Sequence, residues 1–467
     1  MSSSAPAAIR MGTPTGRAVV AAATLGTGMT LLDTTVVNVA LRTIGRDLGA
    51  TLSDLQWITN GYLLSLASLI LFGGWLGDRF GRRRMFVLGT IAFAGASLLC
   101  GLAPTPMVLI AARILQGAGA ALLTPGSLAM IQGAFRPADR PKAIGAWSGL
   151  AAIAAAVGPF VGGILVEYAS WRWIFLINLP MAAITIWIAV RWVPESQDRA
   201  HCGRADIAGP VLASLALAGI TYGLIQFGDP LAPAALVVGV AASVGFVVAE
   251  SRHPDPMLPL GLFASRNFSS ANVMTLLVYA ALGAVMFFVV LQLQTVSGYG
   301  ALAAGISLLP ITICMVFLAS RGGALGARIG PRIPMTLGPI VMGGGTLLLL
   351  SIGVDVDYWR DVLPGVTVFG LGLALMVAPL TATVLAAAPT GNAGIASGVS
   401  NAIARIGSLL AVAVLPVAVG LAGVDYADPV TFDAGYHSAL VACAGMLVVG
   451  GLVSWFTISN DVLEATA

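Results

Sequence analysis

Long apolar stretches alternate with short polar ones along the whole chain. Counted against the roughly 20 residues that a helix needs to cross a bilayer, fourteen stretches are long enough. They cover residues 18–41, 55–77, 85–103, 107–131, 142–166, 172–192, 206–227, 232–250, 271–294, 302–320, 333–352, 362–387, 395–421 and 438–457. The first stretch has no small-residue cleavage site behind it, so we expect a retained helix rather than a signal peptide. The pattern predicts fourteen spanning helices.

The overall composition agrees with a lipid environment. Hydrophobic residues make up 58% and charged residues 9% of the 467 residues, and the mean hydropathy is +0.94. So little polar surface could not cover a water-soluble globule of this size. The net charge of +3 is spread over the loops without a basic stripe, which argues against nucleic-acid binding.

The chain carries no pattern typical of an enzyme or of a primary pump. Cys100, Cys314 and Cys443 fall in apolar stretches and Cys202 in a loop, a spacing that fits neither a disulfide nor a metal site. The sequence has no nucleophile and base set, no metal-ligand cluster and no phosphate-binding loop, and its only lysine is Lys142. We therefore expect neither catalysis nor a cofactor.

Basic residues are distributed unevenly between the two sets of loops. Loops on the side of the N-terminus hold 17 of the 23 basic residues, and the loops on the other side hold four. Because basic loops stay in the cytoplasm, both termini are predicted to be cytoplasmic. This topology is typical of a multi-pass protein of a bacterial inner membrane.

The sequence contains an internal repeat at an offset of 249 residues. Within the loop Gly74–Arg84, the residues Gly74–Arg83 recur as Gly323–Arg332, and Gly158 recurs as Gly407. The repeat predicts two six-helix halves, and duplicated transporters of this kind hold their substrate near the midplane between the halves. The expected domains are a tail at 1–17, a first half at 18–200, an inserted two-helix hairpin at 201–255, a second half at 256–459 and a tail at 460–467.

Four motifs of the first half identify a family. They are Leu32–Leu41, Gly74–Arg84, Arg113–Gly117 and Gly149–Gly163. In this order they resemble the first-helix signature, the helix 2/3 loop motif, the helix 4 motif and the helix 5 antiporter motif of the fourteen-helix drug/proton antiporters of the major facilitator superfamily. Arg42 departs from the first-helix signature, which usually continues with proline. The resemblance implies an all-α polytopic membrane protein with the major facilitator fold, driven by the proton gradient.

Asp33 is the one carboxylate that the pattern places deep within a spanning stretch. With about 1.5 Å of rise per residue, Asp33 and Arg113 lie at a similar depth, roughly 12 Å and 10 Å below the outer ends of their helices. Intramembrane ionisable groups are functional by default, so we expect Asp33 to carry the proton while Arg113, with Gln116, holds the pKa of Asp33 within a usable range. The alternative is a buried ion pair that only fixes helix packing.

The loop after the second stretch is predicted to be a conformational latch. Its proposed members are Gly74, Asp78, Arg79, Gly81, Arg82 and Arg83. The glycines let helix ends approach, and the arginines can reach carboxylates or helix ends in the neighbouring half. The alternative is topogenic, because positive charge alone would hold the loop inside.

The fifth stretch carries small residues along one side. The set consists of Gly149, Gly158, Pro159, Gly162 and Gly163. These residues thin the helix and interrupt its hydrogen-bond ladder, which predicts close packing and a bend. The resemblance assigns the same residues to the antiporter motif.

The substrate cavity is expected to be apolar and aromatic, with sparse hydrogen-bonding groups. The candidate lining residues are Asn38, Tyr222, Gln226, Tyr279, Phe287, Gln292, Gln294, Asn401 and Arg405. Arg405 lies near the midplane, and the spanning stretches of its own half contain no carboxylate. Its partner is expected to be Asp33 or another group across the cavity, a lipid phosphate, an anionic part of the substrate or the backbone carbonyls of a broken helix.

These features predict a monomeric antiporter in the lipid membrane that exports hydrophobic or amphipathic small molecules in exchange for protons. Two alternatives stay open. A dedicated exporter of one natural product, metabolite or lipid would carry the same motifs but accept a narrow range of substrates. A membrane adaptor or sensor would keep the fold without turnover.

Overall fold

The protein is helical almost throughout. The computed structural model describes residues 9–136, 139–197, 206–388, 393–421 and 428–462. Within these ranges fourteen helices are long and apolar enough to cross a membrane, which confirms the predicted number. They are α1 (Pro14–Leu48), α2 (Leu52–Phe80), α3 (Arg82–Gly101), α4 (Pro106–Ala134), α5 (Lys142–Tyr168), α6 (Trp173–Trp192), α7 (Ala208–Ile225), α8 (Ala232–Arg252), α9 (Arg266–Thr295), α10 (Ala301–Ile329), α11 (Arg332–Ser351), α12 (Tyr358–Ala386), α13 (Gly394–Ala418) and α14 (Pro429–Thr457).

Several helices extend beyond the apolar stretches that predicted them. Polar turns at their ends continue the helix and carry the caps: Thr13 accepts a hydrogen bond from the Gly16 amide at the start of α1. Gly49, in the left-handed conformation with φ of 63°, ends α1, and Thr51 with Asp54 forms a capping box that starts α2. Cys202, residues 1–8 of the N-terminal tail and residues 463–467 of the C-terminal tail lie outside the described residues.

The two halves repeat the same packing. In the first half α4 packs against α2 and α3, and α1 packs against α5. In the second half α12 packs against α10 and α11, and α9 packs against α13. When the hairpin helices are left out of the count, each pair of the second half corresponds to the pair six spanning helices earlier. The packing therefore agrees with the duplication that the 249-residue repeat predicts.

The inserted hairpin, α7 and α8, lies against the seam between the halves. Helix α7 contacts α2 of the first half and α13 of the second, and α8 packs against α7. A Cβ atom on Gly219 would lie 2.6 Å from the Ala235 carbonyl oxygen, so the two hairpin helices approach closely. Two buried carboxylates, Asp206 and Glu250, lie at the base of the hairpin and accept the backbone amides of Gly209 and Leu258.

The bundle has two ends. We call the end that carries the turn at Gly81 the proximal end and the opposite end, which carries the turn at Gly49, the distal end. Since the helices alternate in direction, the first described residues and the last helix, α14, also reach the proximal end.

Candidate functional site

The site is centred on a buried ion pair between α1 and α4. Asp33 is 0% exposed and Arg113 is 1% exposed. The Arg113 Nη1 atom lies 2.5 Å from the Asp33 Oδ2 atom. The structure thus brings together the two charges for which the sequence predicts a common depth.

Hydrogen bonds from three more side chains surround this pair. Gln116 donates from Nε2 to Asp33 Oδ1 at 2.8 Å and accepts at Oε1 from Arg113 at 2.6 Å. Asn178 of α6 donates to the same Asp33 oxygen at 3.2 Å. Ser97 of α3 accepts from both Gln116 and Asn178, at 2.7 and 3.3 Å. Each side chain that donates a hydrogen bond to the Asp33 carboxylate is therefore itself held in place by a further hydrogen bond.

Asn178 and Ser97 are not among the site residues that the sequence predicts. A buried amide in a spanning helix is costly unless it is hydrogen-bonded, so Asn178 within the apolar stretch 172–192 was a usable signal. Ser97 gives no such signal, because a serine in a spanning helix satisfies its own hydroxyl on the backbone.

The Arg113 guanidinium makes further contacts. Its Nε atom donates to the Ile58 carbonyl oxygen at 3.1 Å, which links α2 to the network. Its Cζ atom lies 4.4 Å from the centre of the buried Tyr62 ring and 5.8 Å from that of Phe175. Cation–π contacts of this kind are worth about 2 kcal/mol when desolvated. Five of the six helices of the first half thus contribute to the surroundings of one carboxylate.

Hydrogen bonds also join the two halves, and among the described residues they lie at the distal end. Gln56 donates to the Val412 carbonyl oxygen at 2.6 Å. Gln294 donates to the Val39 carbonyl oxygen at 2.8 Å, and the Leu302 amide donates to Glu167 at 3.0 Å. The halves are therefore closed against each other at the distal end.

These contacts correct the placement of three cavity candidates. Gln294 takes part in distal closure, and Gln292 is fully buried and donates to Asp433 at 2.5 Å and to the Ile352 carbonyl oxygen at 3.1 Å. Phe287 packs in the core beside Phe288. All three side chains are buried in this conformation, because the two glutamines satisfy oxygen acceptors at helix interfaces and Phe287 packs in the core.

The small residues of α5 provide close approach on two sides. A Cβ atom on Gly158 or Gly162 would meet Thr35 or Val36 of α1 at 3.0 Å or less. On Gly163 it would lie 2.5 Å from the Leu302 Cα atom, and Pro159 faces Gly305, so this side contacts α10 of the other half. Close packing is present, as expected. Gly149 is an exception, because a Cβ atom there would meet nothing within 4 Å.

The turn between α2 and α3 is clamped within its own half. Arg82 pairs with Asp78 at 2.8 Å and reaches the Ala129 carbonyl oxygen of α4. Glu195, which the sequence analysis missed, accepts the backbone amides of Arg83 and Arg84 at 3.0 and 3.1 Å and so caps α3.

The remaining residues of the predicted latch are Gly81, Gly74 and Arg79. Gly81 has a φ of 115°, and a Cβ atom there would lie 2.7 Å from the Glu195 carboxylate carbon, so the position requires glycine. Gly74 faces Pro125 of α4 at ordinary contact distance, and Arg79 is exposed. The expected bridge to the other half is not among the described contacts of Asp78, Arg82 and Arg83 in this conformation.

The other cavity candidates divide between a groove in the second half and the hairpin. A cavity of about 70 Å³ is lined by Thr275, Tyr279, Leu380, Thr381, Val384, Leu385, Ser397, Ser400, Asn401 and Ala404. Arg405, adjacent to Ala404, is half-buried. Tyr222 instead faces the Trp57 ring at 6.4 Å, Gln226 follows the last turn of α7, and Asn38 is half-buried on α1.

The chain matches one family model and resembles several known proteins. The family model described as Major Facilitator Superfamily matches residues 23–412. The tetracenomycin C resistance and export protein of Streptomyces glaucescens is 34% identical over 85% of this chain and 74% of that protein. The methylenomycin A resistance protein of Streptomyces coelicolor is 35% identical over 97% of this chain and 95% of that protein. A crystal structure of the peptide transporter POT in complex with sulfate has a TM-score of 0.71 over 98% of both chains, and at 14% identity this likeness concerns the fold alone.

Proposed function

Because the chain belongs to the Major Facilitator Superfamily, we propose that it is a proton-coupled antiporter that exports hydrophobic and amphipathic small molecules. The observation that carries the proposal is the buried pair of Asp33 and Arg113, surrounded by hydrogen bonds from neighbouring helices. A change of protonation at this carboxylate acts on every helix that contributes to the network. Similarity to proteins named for antibiotic resistance and export supports the choice of substrate class.

Protonation couples to movement through the charge of Asp33. In the ionised state Asp33 attracts Arg113 and accepts from Gln116 and Asn178, which holds α1, α4 and α6 together. A proton on Asp33 removes the negative charge, so the pair loses its attraction while Arg113 keeps its bond to the Ile58 carbonyl oxygen. A proton then shifts the equilibrium between two arrangements of the half, as coupling requires.

The direction of transport follows from the orientation of the bundle. The proximal end faces the cytoplasm, because most basic loop residues lie there. Closure at the distal end then leaves the cavity open toward the cytoplasm, where substrate binds. Rocking of the halves exposes the cavity to the outside, and a proton that enters from the outside releases the substrate there. The proton gradient supplies the free energy, and a monomer with both halves in one chain is sufficient.

The loop at Gly81 acts as the latch for this movement. In the present conformation the Asp78 side chain is 40% exposed, and it pairs with Arg82 of its own half. The carboxylate remains accessible to the proximal end of the second half when that end closes. Glu195 keeps the start of α3 fixed to α6 throughout, so the turn moves as one piece.

The proposal is tested by drug accumulation in cells that produce the protein. We expect several chemically unrelated amphiphiles to accumulate less than in control cells, and we expect a protonophore to abolish the difference. Reduced accumulation of one compound class alone would indicate a dedicated exporter. Unchanged accumulation of all compounds, with the protein shown to be folded in the membrane, would contradict export and favour an adaptor.

A further inference from the structure

Arg405 is a positive charge in the middle of a spanning helix. It lies about halfway along α13, is half-buried, and forms no hydrogen bond or ion pair with any residue that the structure describes. The residue one turn earlier on the same face, Asn401, is exposed and lines the groove of the second half. A charged group at this depth is costly unless it is paired or faces water, so it marks a ligand path.

Among the described residues, the carboxylates within the bundle are engaged by other groups or lie at one of its ends. Asp33 is engaged by Arg113, Gln116 and Asn178. Glu167 and Asp433 are engaged at the distal end, by the Leu302 amide and by Gln292. Asp206 and Glu250 lie at the proximal base of the hairpin. None of these carboxylates therefore balances the charge of Arg405.

A lipid phosphate is also out of reach. Arg405 lies about twelve residues from the proximal end of α13, which at about 1.5 Å of rise per residue is roughly 18 Å from the headgroup region. A side chain that snorkels to the interface starts within a turn or two of the helix end. The remaining partner is a molecule that enters the cavity.

The residues that line the groove beside Arg405 define what such a molecule looks like. Arg405 directly follows Ala404 and lies one turn after Asn401, and both of these residues line the groove. Tyr279 lines the groove together with the hydroxyl-bearing residues Thr275, Thr381, Ser397 and Ser400. This combination offers an aromatic wall, neutral hydrogen-bonding groups and one planar cation that binds carboxylates bidentately.

We propose that Arg405 binds the anionic group of the exported molecule, and that the preferred substrates are aromatic compounds with a carboxylate or an ionised phenol rather than permanent cations. This inference rests on the proposed export function and specifies its substrate class. Asn401 and the groove hydroxyls position the neutral part of the ligand. Asp33 pairs with Arg113 and not with Arg405, so the proton and the substrate act on different charges.

The test is ligand binding to purified protein in detergent, which does not depend on transport. The probes are a naphthoic acid, its primary amide and the corresponding aryl-trimethylammonium compound. We expect the wild type to bind the acid most tightly. In Arg405→Gln the acid should bind ten- to one-hundredfold more weakly, as expected for the loss of a charge-assisted bond, while the amide changes less than threefold. Arg405→Lys should bind the acid with intermediate affinity, because lysine keeps the positive charge and cannot bind the carboxylate with two parallel hydrogen bonds.

Each other outcome has a distinct meaning. Equal losses of acid and amide affinity in Arg405→Gln would overturn the inference and give Arg405 a structural role. Preferred binding of the cation by the wild type would overturn the inference and leave the export function intact. Failure of all three probes to bind, with drug accumulation in cells unchanged as well, would contradict both proposals.

Discussion

At the scale of single residues, the first half buries one ion pair, Asp33 and Arg113, and surrounds it with hydrogen bonds. The sequence was sufficient to predict Asp33, Arg113 and Gln116, because charges and amides in apolar helices are expensive and their depths coincide. It was insufficient for Ser97, whose role depends on the rotation of α3. It was misleading for Gln292 and Gln294, because a glutamine in a helix faces either a cavity or a neighbouring carbonyl, and periodicity alone does not distinguish the two.

The Asp33–Arg113 pair should behave non-additively in stability. Arg113→Met leaves the buried carboxylate without its main partner and should destabilise the protein by about 3–5 kcal/mol. The double variant Asp33→Asn with Arg113→Met buries no unpaired charge and should recover much of this loss. Thermal unfolding in detergent measures both effects. Additive losses would show that the pair is not coupled, and a fully proton-coupled double variant would reduce the pair to a structural role.

At the scale of helices, hydropathy predicted all fourteen spans because each must satisfy its own backbone in lipid. The close packing of α5 was also predictable from the sequence. The sequence did not indicate which glycines lie at the contacts: Gly163 packs against Leu302, whereas Gly149 faces open space. The clamp at Gly81 was missed, because its carboxylate, Glu195, lies more than a hundred residues further along the chain and an arginine can reach a partner in either half.

Alanine substitutions in α5 provide a matched pair. In Gly163→Ala the new Cβ atom would lie 2.5 Å from the Leu302 Cα atom, so α5 and α10 should separate and distal closure should weaken. Gly149→Ala meets nothing within 4 Å and should raise stability by up to about 1 kcal/mol through helix propensity.

A cysteine introduced in place of Gln294 reports on this closure through its reaction with a membrane-impermeant maleimide. The Gly163→Ala background should increase its labelling and the Gly149→Ala background should not. Equal labelling in the two backgrounds would contradict the packing argument.

At the scale of the whole molecule, duplication predicted two halves of six helices, and the structure adds the hairpin's position across the seam between α2 and α13. No sequence signal gave that position, because the faces of α7 are apolar all round. The conformation was equally beyond sequence reasoning, since rocking uses the same residues in both states. Closure at the distal end depends on Gln56, Gln294 and Glu167, whose partners are backbone groups.

Locking the distal end should stop transport without unfolding the protein. Cysteines in place of Val39 and Gln294, whose backbone oxygen and side chain lie 2.8 Å apart, should be joined by a short bismaleimide. We expect the cross-linked protein to bind substrate from the proximal side and to lose export, and we expect each single-cysteine variant to keep it. Export by the fully cross-linked protein would show that the distal contacts do not need to open.

The claim that Asp33 carries the coupled proton is tested most directly in liposomes that hold the purified protein. The measurement is the release of protons on addition of an exported compound, compared between the wild type, Asp33→Asn and the matched control Asp206→Asn, which removes a buried carboxylate outside the network. We predict proton release from the wild type and from Asp206→Asn, and none from Asp33→Asn that still binds the compound. Proton release of normal size from Asp33→Asn would contradict the account.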